Sequence, residues 1–75
     1  MGTVVELRRD AWNWGKGDAL KLRHIGLPQV GSKLRWTLAE QAWELLAKQG
    51  VGDLPQARVH FLAAYCEGVG QVYPA

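Results

Sequence analysis

The sequence predicts a mainly α domain over residues 1–75, built from about four helices and one small β-hairpin. Three observations lead to this fold class. Apolar residues recur at helical spacing in several stretches, a threonine followed three residues later by glutamate opens two of them, and a Pro- and Gly-containing segment separates the halves. A chain of 75 residues suffices for one domain with a small core.

Residues 34–50 give the clearest helix. Thr37 and Glu40 have the spacing of a capping box, Lys48 suits the last turn, and Gly50 can supply a left-handed residue at the end. The apolar face then comprises Leu38, Ala39, Ala42, Trp43, Leu45 and Leu46. We therefore expect Trp43 to belong to the core.

Residues 3–13 repeat the capping pattern, with Thr3 followed by Glu6, and predict a first helix. Residues 13–17, NWGKG, have the composition of a turn, and residues 18–26 predict a second helix that ends at Gly26. Both helical segments also alternate apolar and polar residues over part of their length, so a strand is the competing interpretation for each.

Residues 27–36 predict the hairpin. Pro28 and Gly31 are helix breakers, and the apolar residues Val30, Leu34 and Trp36 surround a Gly-Ser-Lys turn. Residues 29–30 would pair with residues 34–36 across a Gly-Ser-Lys tip. The last helix would be capped by Asp53, carry Pro55 in its first turn, and end at Gly68 and Gly70, which leaves residues 71–75 as a tail.

This order of helix, turn, helix, hairpin and supporting helices is that of a winged helix–turn–helix. The alternative fold, which applies if the ambiguous segments are strands, is α+β with a three-stranded sheet and two helices. Circular dichroism distinguishes the two folds. A spectrum dominated by helix is expected for the winged helix–turn–helix, and one dominated by strand for the alternative.

Charge is divided unevenly along the chain. Residues 1–36 carry seven basic and three acidic residues, a net charge of +4, whereas residues 37–75 carry two basic and four acidic residues, a net charge of −2. A basic half indicates a polyanionic partner, while an uneven but merely solvated surface is an equally good explanation.

Residues 25–50, IGLPQVGSKLRWTLAEQAWELLAKQG, resemble the wing and following helix of small phage excisionases and related winged-helix regulators. Residues 39–73 are similar, more weakly, to the helical pair of some phage terminase small subunits, especially in LAAYCEGVGQVY. Both resemblances imply a phage-type protein that contacts DNA.

The sequence offers little for catalysis or metal binding. His24, His60 and Cys66 are its only soft metal ligands, and none has the spacing of a zinc site. We expect no enzyme activity, no metal and no cofactor. Cys66 cannot form an internal disulfide, and no apolar run is long enough to cross a bilayer, so we expect a cytoplasmic protein.

The resulting hypothesis is a small, non-enzymatic DNA-binding protein or regulator of a phage or mobile element, with the acidic C-terminal helices providing the core and a possible homo-oligomer contact. Base contacts would come from the helix that carries Lys21, Arg23 and His24. The full set of expected DNA contacts is Arg8, Arg9, Lys16, Lys21, Arg23, His24, Lys33 and Arg35. The alternative is a protein–protein interaction module that docks on a host or phage protein through an aromatic patch with Trp14 exposed in its turn.

Overall fold

The computed structural model describes residues 3–50 and 56–74, which form three α-helices. Helix α1 spans Val4–His24, α2 spans Ser32–Ala47, and α3 spans Ala57–Gly70. Helix α3 packs against both of the others, and its interface with α1 is much the larger. Within the described ranges, no helix is both long and apolar enough to cross a membrane.

Helix α1 is continuous where a turn was predicted. Residues 13–17 lie inside it, so the expected helix–turn–helix is wrong and the two predicted segments form one helix. Its beginning agrees with the prediction, because the Thr3 hydroxyl oxygen accepts a hydrogen bond from the backbone N–H of Glu6 at 3.1 Å. Its end also agrees, since Gly26 follows with a φ of +94°, a conformation that favours glycine.

The predicted hairpin is absent, because residues 32–36 form the first turns of α2. Pro28 and Gly31 lie in the connection before the helix, so neither residue interrupts it. Thr37 is therefore an interior residue, and its hydroxyl donates to the carbonyl oxygen of Lys33 at 3.0 Å instead of capping the helix. Residues 3–50 and 56–74 contain no strand, which contradicts both the winged helix–turn–helix and the three-stranded alternative.

Helix α3 is the centre of the core, which the sequence analysis expected the C-terminal helices to provide. Phe61 is fully buried, and the rings of Trp14 and Trp43 each lie with their centroids 5.7 Å from its ring. Trp43 thus packs at the core, as predicted. Val59, on the same helix, lies outside the core and is 61% exposed. The predicted cap at Asp53 and the position of Pro55 lie outside the described residues.

The segment after α3 belongs to the core and is not a free tail. Tyr73 is only 8% exposed, and its hydroxyl donates to the carbonyl oxygen of Leu27 at 2.6 Å. The two residues are far apart in sequence. This bond therefore ties the end of the described chain to the connection between α1 and α2.

Two glycines allow α1 and α3 to approach each other at backbone distance. A Cβ atom on Gly15 would overlap the carbonyl oxygen of Tyr65, and a Cβ on Gly68 would overlap the carbonyl oxygen of Trp12. The pairing of 12 with 68 and of 15 with 65 shows that the helices run antiparallel. Both positions require glycine because each added atom would meet backbone, which cannot rotate away.

Replacing either glycine by alanine should destabilise the fold. Gly15→Ala and Gly68→Ala should each lower the free energy of unfolding by about 1–3 kcal/mol, the usual cost of overpacking, in spite of alanine's better helix propensity. Gly17→Ala is the matched control, because nothing lies within 4 Å of its Cβ position. It should be stabilising by about 0.5–1 kcal/mol. Urea denaturation decides, and equal effects at Gly15 and Gly17 would contradict the close crossing.

Thr3 and Thr37, the two threonines of the predicted capping boxes, should respond differently to replacement by alanine. Thr3→Ala removes an observed cap and should cost about 1 kcal/mol of unfolding free energy. Thr37→Ala should be neutral or stabilising by a few tenths of a kcal/mol, since alanine is the better residue in a helix interior. Chemical denaturation of both variants tests this, and a larger loss at Thr37 would restore the cap predicted there.

Candidate nucleic-acid interface

Helix α1 carries three cations along one side of its outer surface. Arg9, Lys16 and Arg23 follow one another at intervals of seven residues. Seven residues are close to two helical turns, so the three lie within about 40° around the axis and span roughly 21 Å along it. Arg9 and Arg23 are exposed and Lys16 is half-buried. We call these three residues the basic stripe.

The middle of the basic stripe is ordered by an aromatic contact. The Lys16 ammonium lies 5.2 Å from the centroid of the half-buried Trp12 ring. A cation over an indole face is attracted by the ring quadrupole and retains access to solvent. Within residues 3–50 and 56–74, none of the three stripe cations forms an ion pair. Their charges are therefore uncompensated by the neighbouring chain.

Lys21 and His24 are also exposed near the end of α1, but they face other directions. Residues two positions apart differ by about 200° around a helix, so Lys21 points away from Arg23. His24 lies about 100° from Arg23. The structure thus separates these residues from the basic stripe while keeping them at the same end of the helix.

The remaining predicted cations have other surroundings. Arg8 forms an ion pair with Glu67 of α3, with a distance of 3.2 Å between its guanidinium and the carboxylate. Lys33 is exposed in the first turn of α2. Arg35 is partly buried, and its Nη2 donates to the carbonyl oxygens of Val30 at 3.0 Å and Tyr73 at 2.8 Å. Arg35 therefore has a structural role that the sequence did not indicate.

Trp14 lies in the interior of α1 and is half-buried. Its ring packs edge-on against Phe61 at an interplanar angle of 90°. Trp14, which was expected to project from a turn, thus packs partly against the core. Its role in partner contact stays a prediction.

The structure also brings together residues that no motif connected. An open groove of about 760 Å³ lies between the α1–α2 connection and the segment after α3. Arg23 and Arg35 line it, together with apolar residues from both walls. Its walls are joined by the hydrogen bonds of Tyr73 and Arg35 described above. The sequence feature that relates to this groove is the presence of apolar residues after Gly70, but this segment was predicted to be a tail.

A partly buried hydrogen bond connects α1 with α3 beside the close crossing. The Tyr65 hydroxyl donates to an Oδ2 of Asp18 at 2.5 Å, and Tyr65 itself is fully buried. Burial, followed by the bond to Asp18 and the charge of that carboxylate, raises the pKa of Tyr65 far above its ordinary value. The phenol is therefore neutral throughout the physiological range.

Cys66 is half-buried on α3 and has no disulfide partner. Burial raises the pKa of its thiol, and the nearby charge of Arg35 opposes that effect in part. A raised pKa keeps the sulfur in its less nucleophilic, protonated form. Among the described residues, no three His, Cys, Asp or Glu side chains are grouped as metal ligands.

The chain matches no protein-family model, and comparisons with curated proteins and with solved structures give no significant match.

The raised pKa of Tyr65 predicts how stability changes at alkaline pH. The folded state holds the phenolic proton more tightly than the unfolded chain, so the stabilisation is complete below about pH 10 and is lost as pH rises above it. Tyr65→Phe should cost about 0.5–1.5 kcal/mol at neutral pH. The difference in unfolding free energy between the parent and Tyr65→Phe should shrink above about pH 10. Urea unfolding at neutral pH and above about pH 10 measures this difference in unfolding free energy. A difference that does not change with pH would contradict burial of the phenol.

Proposed function

We propose that this protein binds duplex DNA through the outer surface of α1, with the basic stripe on the phosphate backbone. The observation that carries the proposal is the spacing of Arg9, Lys16 and Arg23 along one side of a single long helix. DNA presents phosphates at regular intervals, and a linear array of cations releases several of its counterions at once. Such a role agrees with the cytoplasmic location expected from the sequence.

The geometry supports a backbone contact more than a base contact. A 21-residue helix is about 31 Å long, and the stripe extends over roughly two-thirds of it. Phosphate contacts set the register of a protein on DNA without carrying sequence information. Base contacts would come from the end of α1, where Lys21 and His24 face different directions from Arg23.

The proposed DNA surface contains no wing. Its members are the basic stripe, with Lys21 and His24 at one end and Lys33 nearby in sequence at the start of α2. Arg8 and Arg35 are engaged by Glu67 and by backbone carbonyls, so we assign them no contact with DNA. This is a smaller site than the sequence suggested.

A second candidate is a protein–protein interaction module, and an exposed surface of α2 favours it. Leu34 is 40% exposed and Leu45 is 55% exposed. Eleven residues separate them, which places them within about 20° on the same side of the helix. Trp36, 47% exposed, lies elsewhere on α2. This surface replaces Trp14 as the apolar contact that such a module would use.

A gel-shift titration with nonspecific duplex at two salt concentrations tests the DNA proposal. The parent should bind at low salt and lose affinity as salt rises. Arg9→Gln combined with Lys16→Gln should weaken binding and reduce the slope of log affinity against log salt by roughly 1.8, about 0.9 for each lost phosphate contact. Arg9 is exposed and Lys16 is half-buried with its ammonium over Trp12, so unfolding free energy is measured for the variant alongside binding.

The matched control exchanges two other charged residues by the same chemistry. Arg58 of α3 and Lys48 at the end of α2 are exposed and lie outside the basic stripe, so Arg58→Gln combined with Lys48→Gln removes the same amount of positive charge elsewhere on the surface. It should leave the salt slope unchanged. If the parent shifts no duplex at low salt, the DNA proposal fails and the interaction module takes its place.

A further inference from the structure

We propose that the groove between the α1–α2 connection and the segment after α3 binds an acidic peptide segment of a partner protein, with apolar side chains on the groove floor and a carboxylate beside the arginines. The inference does not depend on DNA binding. A groove of about 760 Å³ is in the usual size range of ligand sites and holds a few residues of extended peptide.

The groove floor is apolar and hydrogen bonds join its two walls. Leu27, Val30 and Val72 line it, and Val30 is only 4% exposed. The Tyr73 hydroxyl bond to Leu27 and the Arg35 bonds to Val30 and Tyr73 fix the two walls relative to each other. Preformed walls reduce the ordering cost of binding, so a short segment can bind without reorganising the fold.

The charge of the groove selects a carboxylate. Arg23 and Arg35 both line it, and among residues 3–50 and 56–74 no acidic residue does. Arg35 uses its Nη2 for two carbonyls, while its buried Nε has no acceptor within the described ranges. The buried Nε is out of reach of a bound ligand, but a carboxylate beside the guanidinium would compensate its charge.

The first turn of α2 also favours an anion in the groove. Ser32 lines the groove, and Gly31 at the N-cap has no side chain to accept the free backbone N–H groups of that turn. No acidic residue occupies the turn. The positive end of the helix therefore adds to the two arginines in favouring an anion.

A peptide fits these features better than nucleic acid does. The DNA backbone is polar along its whole length and would leave the apolar floor unfilled, whereas a peptide can alternate leucine and glutamate. The expected partner segment is acidic and apolar in alternation.

The test titrates the full, ¹⁵N-labelled chain with a capped six-residue peptide of alternating leucine and glutamate. Its counterpart has glutamine in place of glutamate. Amide shifts should concentrate at residues 26–32 and 72–73, and the glutamine peptide should bind about tenfold more weakly, since charge-assisted hydrogen bonds are lost. Equal affinity of the two peptides, or shifts confined to α2 around Leu45, would overturn the proposal.

Gln29 supplies variants that alter the groove without endangering the fold. It is exposed and lines the groove, so Gln29→Glu should weaken binding of the glutamate peptide severalfold and Gln29→Lys should strengthen it. Gln41→Glu, on the exposed side of α2, introduces the same charge outside the groove and should have no effect. Equal losses from Gln29→Glu and Gln41→Glu would overturn the proposal.

A short DNA duplex serves as the remaining comparison in the same experiment. The duplex should shift amides of α1 and leave the groove residues other than Arg23 unchanged. If the duplex alone instead shifts residues 26–32, the groove is part of a nucleic-acid site and the peptide proposal is wrong.

Discussion

The backbone contact between α1 and α3 is the constraint on which the rest of the structure depends. Gly15 and Gly68 let each helix reach the carbonyls of the other, so the interface is tight enough for small alanines to fill it. A domain of this size cannot rely on a large core. Stability then comes from close packing along one long antiparallel pair, with the aromatic residues gathered around Phe61 on the α2 side.

The continuity of α1 follows from that contact and determines what the surface can do. A turn at residues 13–17 would have divided the basic residues between two helices at an undefined angle. In the uninterrupted helix, Arg9, Lys16 and Arg23 fall along one line because their spacing matches two turns. The glycine that appeared to break the helix is the residue that allows it to pack, and the packing exposes the basic stripe.

The sequence predicted the ends of structure better than its interruptions. The Thr3 cap and the left-handed Gly26 and Gly50 are confirmed, and these features depend on local backbone chemistry. The cap predicted at Thr37 from the same motif is wrong, because α2 begins five residues earlier at Ser32. Gly15 and Gly68 were taken as terminators because local composition does not distinguish a glycine that turns the chain from one that admits a neighbouring backbone. The predicted hairpin was wrong for a related reason. Gly31 was interpreted as a break within residues 27–36, but it lies just outside α2, so Leu34, Arg35 and Trp36 can all be helical. Of the candidate site, the basic character of α1 was evident from sequence, whereas the capture of Arg35 by two carbonyls and the burial of Tyr73 depend on contacts across the whole chain.

Arg23 links the two proposed surfaces, because it ends the basic stripe on α1 and also lines the groove. A carboxylate bound beside it would neutralise one of the stripe's three charges, and a phosphate bound to it would compete for the same guanidinium. Coupling between two ligands is reciprocal, so each would weaken the other by the same factor. Arg9 and Lys16 contribute to the stripe alone, and Gln29 contributes to the groove alone. The two proposed activities should therefore be separable by substitution, and the shared Arg23 would let an acidic partner reduce the proposed DNA affinity electrostatically.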